Sequence, residues 1–234
     1  MVRKVIAALD TADLDHAIGL VKRLSPHIGA FKIGHALTLN HGLDVIDRLQ
    51  DAGASRVFLD LKFHDIPNVI GLAVREAVRR NVWMMTMHIS GGPAMMSAAA
   101  MEARSRGENA PILLGVSVLT SLDQHILTDH LGIQRTLEDH MVYLSQLACD
   151  CGLDGVVCSP HEVQAIRGAL GRSPVIVTPG IRAANSDVHD QVRVGDAQST
   201  LSAGADYLVV GRALTDRADD PQAALRSLGF EPSA

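Results

Sequence analysis

The sequence predicts an α/β protein, a single-domain (β/α)8 TIM barrel, and three observations carry that expectation. Eight short, β-rich apolar runs recur along the 234 residues, helix-patterned stretches stand between them, and the glycine fingerprint of the rival open sheet is missing. Strands that alternate with helices imply a parallel sheet, because each parallel connection needs a crossover long enough to hold a helix. An open dinucleotide-binding sheet would place G-x-G-x-x-G after the first run. AALDTADLD stands there instead, and no P-loop sequence occurs. No proline-rich linker or charge run splits the chain, so residues 1–234 are read as one catalytic barrel domain.

Taken in order, the first run, VIAAL (5–9), ends in Asp10 and is followed by DLDHAIGLVKRL, whose apolar residues recur at helical spacing. The second, AFKIG (30–34), carries Lys32 and precedes the helical stretch GLDVIDRLQDAG. The third, RVFLDLK (56–62), carries Asp60 and Lys62 and leads through VIGLAVREAVRR to the fourth, WMMTMHI (83–89), which ends near His88. AMMSAAAMEARSRG then connects to the fifth, PILLGVSVL (111–119), which runs into Thr120 and Ser121. GVVC (155–158) is the sixth, PVIVTP (174–179) opens into TPGIR, and DYLVVG (206–211) opens into VVGR. Several helical stretches end near Gly, as helix C-termini do.

Composition narrows the function classes. A hydrophobic content of 47% with 20% charged residues is that of a folded protein with a sizeable core. The net charge of −5 and the scarcity of rings, one Trp, two Tyr and four Phe, argue against nucleic acid as a partner. Cys149, Cys151 and Cys158 form neither a disulfide framework nor a zinc set, and are expected to be reduced. MVRKVIAALD is too short an apolar run for a secretory signal, and no apolar stretch reaches about 18 residues. The expectation is a cytoplasmic protein with no membrane partner.

In such barrels chemistry collects at the carboxyl ends of the strands. There the stretch DLKFHDIPN (60–68) sets an acid, a base and a second acid at positions 60, 62 and 65. Buried charges are costly unless paired. Strand alternation would put Asp60 and Lys62 on one face, with Lys32 on the adjacent strand and Asp65 in the loop, so that the four charges alternate in sign and each has a partner. A lysine held between carboxylates is a poor Schiff-base nucleophile and a good cation or general acid. The bland alternative is a buried ion network that only holds strands two and three in register.

Gly180 and Gly211 allow close backbone approach, and Arg182 and Arg212 add cationic donors. The loops after strands seven and eight are the common phosphate site of barrels, so the ligand is expected to carry a phosphate. AANSDVHD (183–190) is polar and aperiodic, as a lid over that phosphate would be. Of eleven histidines none has metal-ligand spacing, His88 is read as a hydrogen-bonded core residue, and the Met pairs at 84–85 and 95–96 as core filling.

With these residues in view, the sequence resembles the orotidine 5′-monophosphate decarboxylase family. The matching motifs are ALD (8–10), FKIG (31–34), DLKFHDIPN (60–68), LTS (119–121), TPGIR (178–182), DQ (190–191) and VVGR (209–212), in family order across nearly the whole chain. The resemblance implies decarboxylation of orotidine 5′-monophosphate to uridine 5′-monophosphate, the last step of de novo UMP synthesis, with no cofactor and no metal. It implies that Lys62 donates a proton to the carbon that loses carbon dioxide, within a charged array completed by Lys32, Asp60 and Asp65. Asp65 would reach the site of the partner subunit in an obligate homodimer. Asp10 and Lys32 would contact the ribose and Thr120 the pyrimidine surroundings, with Asp60 and Ile66 also among the substrate contacts. Gln191, Gly211 and Arg212, with Arg182, would grip the phosphate and close over it. The family commonly has Thr after IPN. Val69 stands there in this chain, so a hydroxyl contact near the ribose is missing and weaker affinity is expected.

Two rivals remain at this stage. The sugar-phosphate branch of the same suprafamily, resembling 3-keto-L-gulonate 6-phosphate decarboxylase and hexulose 6-phosphate synthase, shares D-x-K-x-x-D but uses magnesium, with an acidic residue where Lys32 stands; lysine there would repel the metal. A silent phosphate-ligand binder is the other, and the intact set Lys32, Asp60, Lys62 and Asp65 argues against it.

Overall fold

The computed structural model describes residues 2–182 and 194–231, with the backbone alone at Glu108 and Arg182. The chain runs β1 (Val2–Ala8), α1 (Leu14–Leu24), β2 (Ile28–Ile33), α2 (His35–His41), α3 (Val45–Asp51), β3 (Val57–Phe63), α4 (Pro67–Arg79) and β4 (Met84–His88). It continues α5 (Pro93–Arg104), β5 (Ile112–Val116), α6 (Leu137–Asp150), β6 (Gly155–Val157), α7 (Val163–Leu170), β7 (Val175–Thr178), β8 (Ile181–Arg182) and β9 (Gly195–Asp196). It ends α8 (Ala197–Ala203), β10 (Tyr207–Val210), α9 (Arg212–Thr215) and α10 (Pro221–Ser227). Eight parallel strands close in the order β1-β10-β7-β6-β5-β4-β3-β2, and the seam is the pairing of Val5, Ile6 and Ala7 with Leu208, Val209 and Val210. β8 and β9 form a separate two-stranded ladder.

The eight apolar runs therefore become the eight barrel strands. The fifth ends earlier than its apolar run, at Val116, and just beyond it the Ser117 hydroxyl lies 3.2 Å from both the Val157 carbonyl oxygen and Met141 Sδ. Short α2, and the β8–β9 ladder, have no apolar signature of their own and were not foreseen.

Alternation divides the core in two. Ile6, Ala8, Ala30, Phe58, Met84, Leu114, Val177 and Val209 pack together inside the barrel and fill it. Val5, Ala7, Leu9, Phe31 and Val57 point the other way and join the larger core shared with helix residues such as Leu20, Val21, Val74 and Leu225. Gly155 is required by strand spacing, since a Cβ there would meet the Val175 carbonyl oxygen at 2.0 Å. Helix starts are fixed by side-chain caps: Asp13, Asp196 and Asp220 accept the N–H three residues on at 3.0, 2.9 and 2.9 Å. Pro67, Pro93 and Pro221 open α4, α5 and α10, where a missing N–H does no harm. Arg75 forks onto Glu102 with two bonds of 3.1 Å and fastens α4 to α5.

Candidate active site

Above the filled interior, at the carboxyl ends of the strands, lies a cavity of about 690 Å³, within the range that encloses a small organic ligand. Ala8, Phe58, Val177 and Val209 reach up from the barrel interior to form its apolar floor. Asp10, Lys32, Asp60 and Lys62 line it over β1 to β3, Val118 and Thr120 over β5, and Pro179, Gly180, Gly211 and Arg212 over β7 and β10.

The charged wall is a chain of contacts. Lys32 Nζ donates to Asp10 Oδ1 at 3.0 Å and stands 3.6 Å from Asp60 Oδ2, and Lys62 Nζ donates to that same Oδ2 at 3.0 Å. Asp60, 12% exposed at its side chain, is the hub. Burial by itself would raise its pKa, but the charges of Lys32 and Lys62, with hydrogen bonds from Lys62 and Thr86, outweigh that and hold it below the usual carboxylate value. Asp60 is thus a carboxylate fixed between two cations.

Asp60 and Lys62 are neighbours, as expected, although strand alternation is not the reason. Lys62 has φ +50°, in the left-handed region that a long side chain seldom occupies. The β3–β4 register shifts there: Leu59 faces Met85, but Phe63 faces Met87, so β3 holds two more residues than β4 over the same span. The buried hydroxyl of Thr86 bridges the irregularity, accepting the Lys62 N–H at 3.0 Å and donating to Asp60 Oδ1 at 2.8 Å. Sequence reasoning missed Thr86, which stands among the apolar residues of WMMTMHI. It lies two residues from the inward-facing Met84, and a hydroxyl inside a barrel needs a partner; that signal was available.

Asp65 stands apart from the other three charges of the array. Its carboxylate accepts only the neighbouring Ile66 N–H at 2.7 Å, it is exposed, and among the described residues no cation lies within ion-pair distance. Ile66 is 65% exposed and lies outside the cavity lining, on the same exposed stretch as Val69. His88 is half-buried rather than core, and its ring makes no hydrogen bond among the described residues but tilts against His64 at 5.5 Å. Burial first, then the nearby His64 and Lys62, lower its pKa, opposed in part by Asp60. Met84, Met85, Met95 and Met96 are all fully buried, as core filling requires.

Gly180 has φ +81°, which explains glycine at that turn. Gly211 and Arg212 sit at the start of α9, on the cavity. Gln191, the stretch 183–190 and the Arg182 side chain lie outside the described residues. Among the described residues no group of three or more His, Cys, Asp or Glu side chains is placed to hold a metal ion, and no helix is long and apolar enough to cross a membrane.

Comparison with known proteins adds to this geometry. The model of the family described as orotidine 5′-phosphate decarboxylase / HUMPS matches residues 3–228. Among curated relatives, the orotidine 5′-phosphate decarboxylase of Moorella thermoacetica is 46% identical over 232 residues, covering 97% of this chain and 91% of its own. That of Pseudoalteromonas translucida is 44% identical over 223 residues, covering 95% and 94%. The crystal structure of orotidine 5′-phosphate decarboxylase from Lactobacillus acidophilus superposes with a TM-score of 0.83 at 32% identity, over 97% of each chain.

Proposed function

This chain belongs to the orotidine 5′-phosphate decarboxylase / HUMPS family, and on that premise, which makes it a carboxy-lyase of pyrimidine biosynthesis acting on orotidine 5′-monophosphate, we propose that Lys62 protonates the ring carbon that loses carbon dioxide. The observation that carries this reading is the ammonium of Lys62, 3.0 Å from a carboxylate that a second lysine also flanks, on the wall of the cavity.

Breaking the bond to the carboxylate leaves its electron pair on a ring carbon that delocalises charge poorly. A fixed cation beside that carbon stabilises the developing charge, and the ammonium proton then forms the new C–H bond, giving uridine 5′-monophosphate and a neutral amine that water reprotonates. Asp60 would also repel the substrate's carboxylate. Two like charges at ~4 Å in an effective dielectric of ~20 cost roughly 4 kcal/mol, which if relieved at the transition state amounts to about three powers of ten in rate. Asp10 and Lys32 face the ribose in this reading, and Thr120 the base. Gly211, Arg212, Arg182 and Gln191 hold the phosphate and anchor the substrate in the cavity.

We further propose that the protein acts as a homodimer, in which Asp65 completes the array of the partner subunit. Among the described residues no cation lies within ion-pair distance of Asp65, and Ile66, Val69, Leu72 and Met101 are exposed apolar side chains. The magnesium-dependent sugar-phosphate reading is disfavoured because the Lys32 ammonium stands between Asp10 and Asp60, where a cation would need oxygen ligands.

The test is the loss of ultraviolet absorbance of orotidine 5′-monophosphate with pure protein in EDTA, beside Lys62→Ala. Conversion by the wild type and none by the variant is expected; an inactive wild type or an active variant overturns the reading. For the dimer, inactive Lys62→Ala and Asp65→Ala proteins are mixed under exchange. Random pairing restores one whole site in each mixed dimer, so about a quarter of wild-type activity should return, and no recovery would rule out the shared site.

A further inference from the structure

We infer that Thr86 is a positioning residue for the decarboxylation, one that aims Lys62 by tying its backbone and its carboxylate partner to a single hydroxyl. The inference rests on the decarboxylase reading above and adds to it a residue outside the charged array.

Thr86 is fully buried on β4. A hydroxyl has one proton to give. Because the Thr86 oxygen accepts the Lys62 N–H, that proton is left to point at Asp60 Oδ1, so the two bonds define each other's direction. Asp60 thereby has one oxygen engaged by Thr86 and presents the other, Oδ2, to both lysines at 3.0 and 3.6 Å. Without the hydroxyl the carboxylate is free to turn about its own axis and share its oxygens differently.

The second bond acts on the backbone. Where β3 carries its two additional residues, the Thr86 hydroxyl oxygen of β4 accepts the Lys62 N–H and satisfies this donor at the shifted register. It thus supports a left-handed conformation that lysine does not favour, and that conformation sends the side chain back over Asp60 toward the cavity. Threonine suits the task twice. The hydroxyl supplies donor and acceptor together, and β-branching restricts the side-chain rotamer in a strand.

The two outcomes of losing Thr86 separate in the kinetics. The aim of the ammonium matters when the proton moves, whereas the phosphate end of the cavity, over β7 and β10, is built without Thr86. Thr86→Val, which keeps the shape and removes the hydroxyl, should lower kcat by about 10- to 100-fold, the factor that corresponds to one hydrogen bond to a charged group. KM should stay within roughly threefold, and uridine 5′-monophosphate should raise the melting temperatures of variant and wild type alike. Thr86→Ser should recover most of the lost kcat. Should valine not be accepted by the fold, Thr86→Ala against Thr86→Ser gives the same contrast.

An active wild type matched by Thr86→Val would overturn this inference alone. So would a serine variant as impaired as valine, or loss of nucleotide-induced stabilisation together with kcat, since either means that packing and not the hydroxyl matters. A wild type without activity would sink the decarboxylase reading first.

Discussion

The two sides of the barrel mouth are built in different ways. Over β1 to β4, four charged side chains and a buried hydroxyl are locked to one another through contacts of 2.8 to 3.6 Å, and the backbone itself departs from strand geometry to hold them. Over β7 and β10, the lining is Pro179, Gly180 and Gly211, with Arg212 as its described cation. The first side spends its structure on orientation, the second on room for a ligand and on backbone that can approach it. In the proposed reaction the first would carry the chemical step and the second the binding of the phosphate, so substitutions on the two sides should divide between kcat and KM.

The largest effect should follow Lys62→Ala, which removes both the cation and the proton. A kcat lower by more than about four powers of ten is expected, with product affinity little changed. A stopped assay with high enzyme concentration would measure it, and a loss smaller than tenfold would break the division between the two sides.

Asp60→Asn should come next. It leaves Lys32 and Lys62 beside a neutral amide, and kcat should fall by roughly two to three powers of ten, with stability lower by about 3 kcal/mol because a buried partner is lost. Since the Asp60 pKa is depressed from 3.8, its contribution to stability is present above that pH and fades as pH falls through the lower folded value. Urea melts at pH 7 and pH 3 should therefore differ less for the variant than for the wild type.

Arg212→Ala tests the other side. Loss of a charge-assisted bond to phosphate should raise KM by about 10- to 100-fold while kcat changes much less. If kcat instead falls as far as it does in Asp60→Asn, the two sides are not separable in function.

The smallest effect sharpens the comparison on the charged side. The pKa of His88 is lowered first by burial and then by nearby His64 and Lys62, with Asp60 opposing. The folded state then binds this proton less readily than the unfolded chain, so stability declines as pH falls below 6.5. His140, lowered by burial and by Arg135, adds to the same trend. Melting temperatures at pH 7 and pH 5 should fall by less in His88→Gln than in the wild type; equal slopes would remove His88 from the account.

Much of this was legible in the residues alone. Parallel strands buried on both faces are continuous apolar runs, which is why eight of them announced the barrel. Asp60, Lys62 and Lys32 could be placed together because unpaired buried charge is so unfavourable. The route by which Lys62 arrives was not legible. Periodicity presumes regular strands, and the left-handed residue and the shifted register break that presumption at Lys62. The surroundings of Asp65 were not legible from periodicity, because a loop residue follows none, and among the described residues no cation lies within ion-pair distance of it. Thr86 went unnoticed because threonine is at home in any strand.

The seam between β1 and β10 has a further consequence for how the protein comes to exist. Val5 and Leu208 are paired across nearly the whole chain, so the ring cannot shut until its last strand has been synthesised. Every group of the charged wall lies within the first 86 residues and leaves the ribosome long before the strand that closes the ring beside it. During that interval the array must form on an open sheet or wait. Pairing over such sequence distance is slow, and the growing chain carries its most sensitive residues exposed to water until closure encloses them.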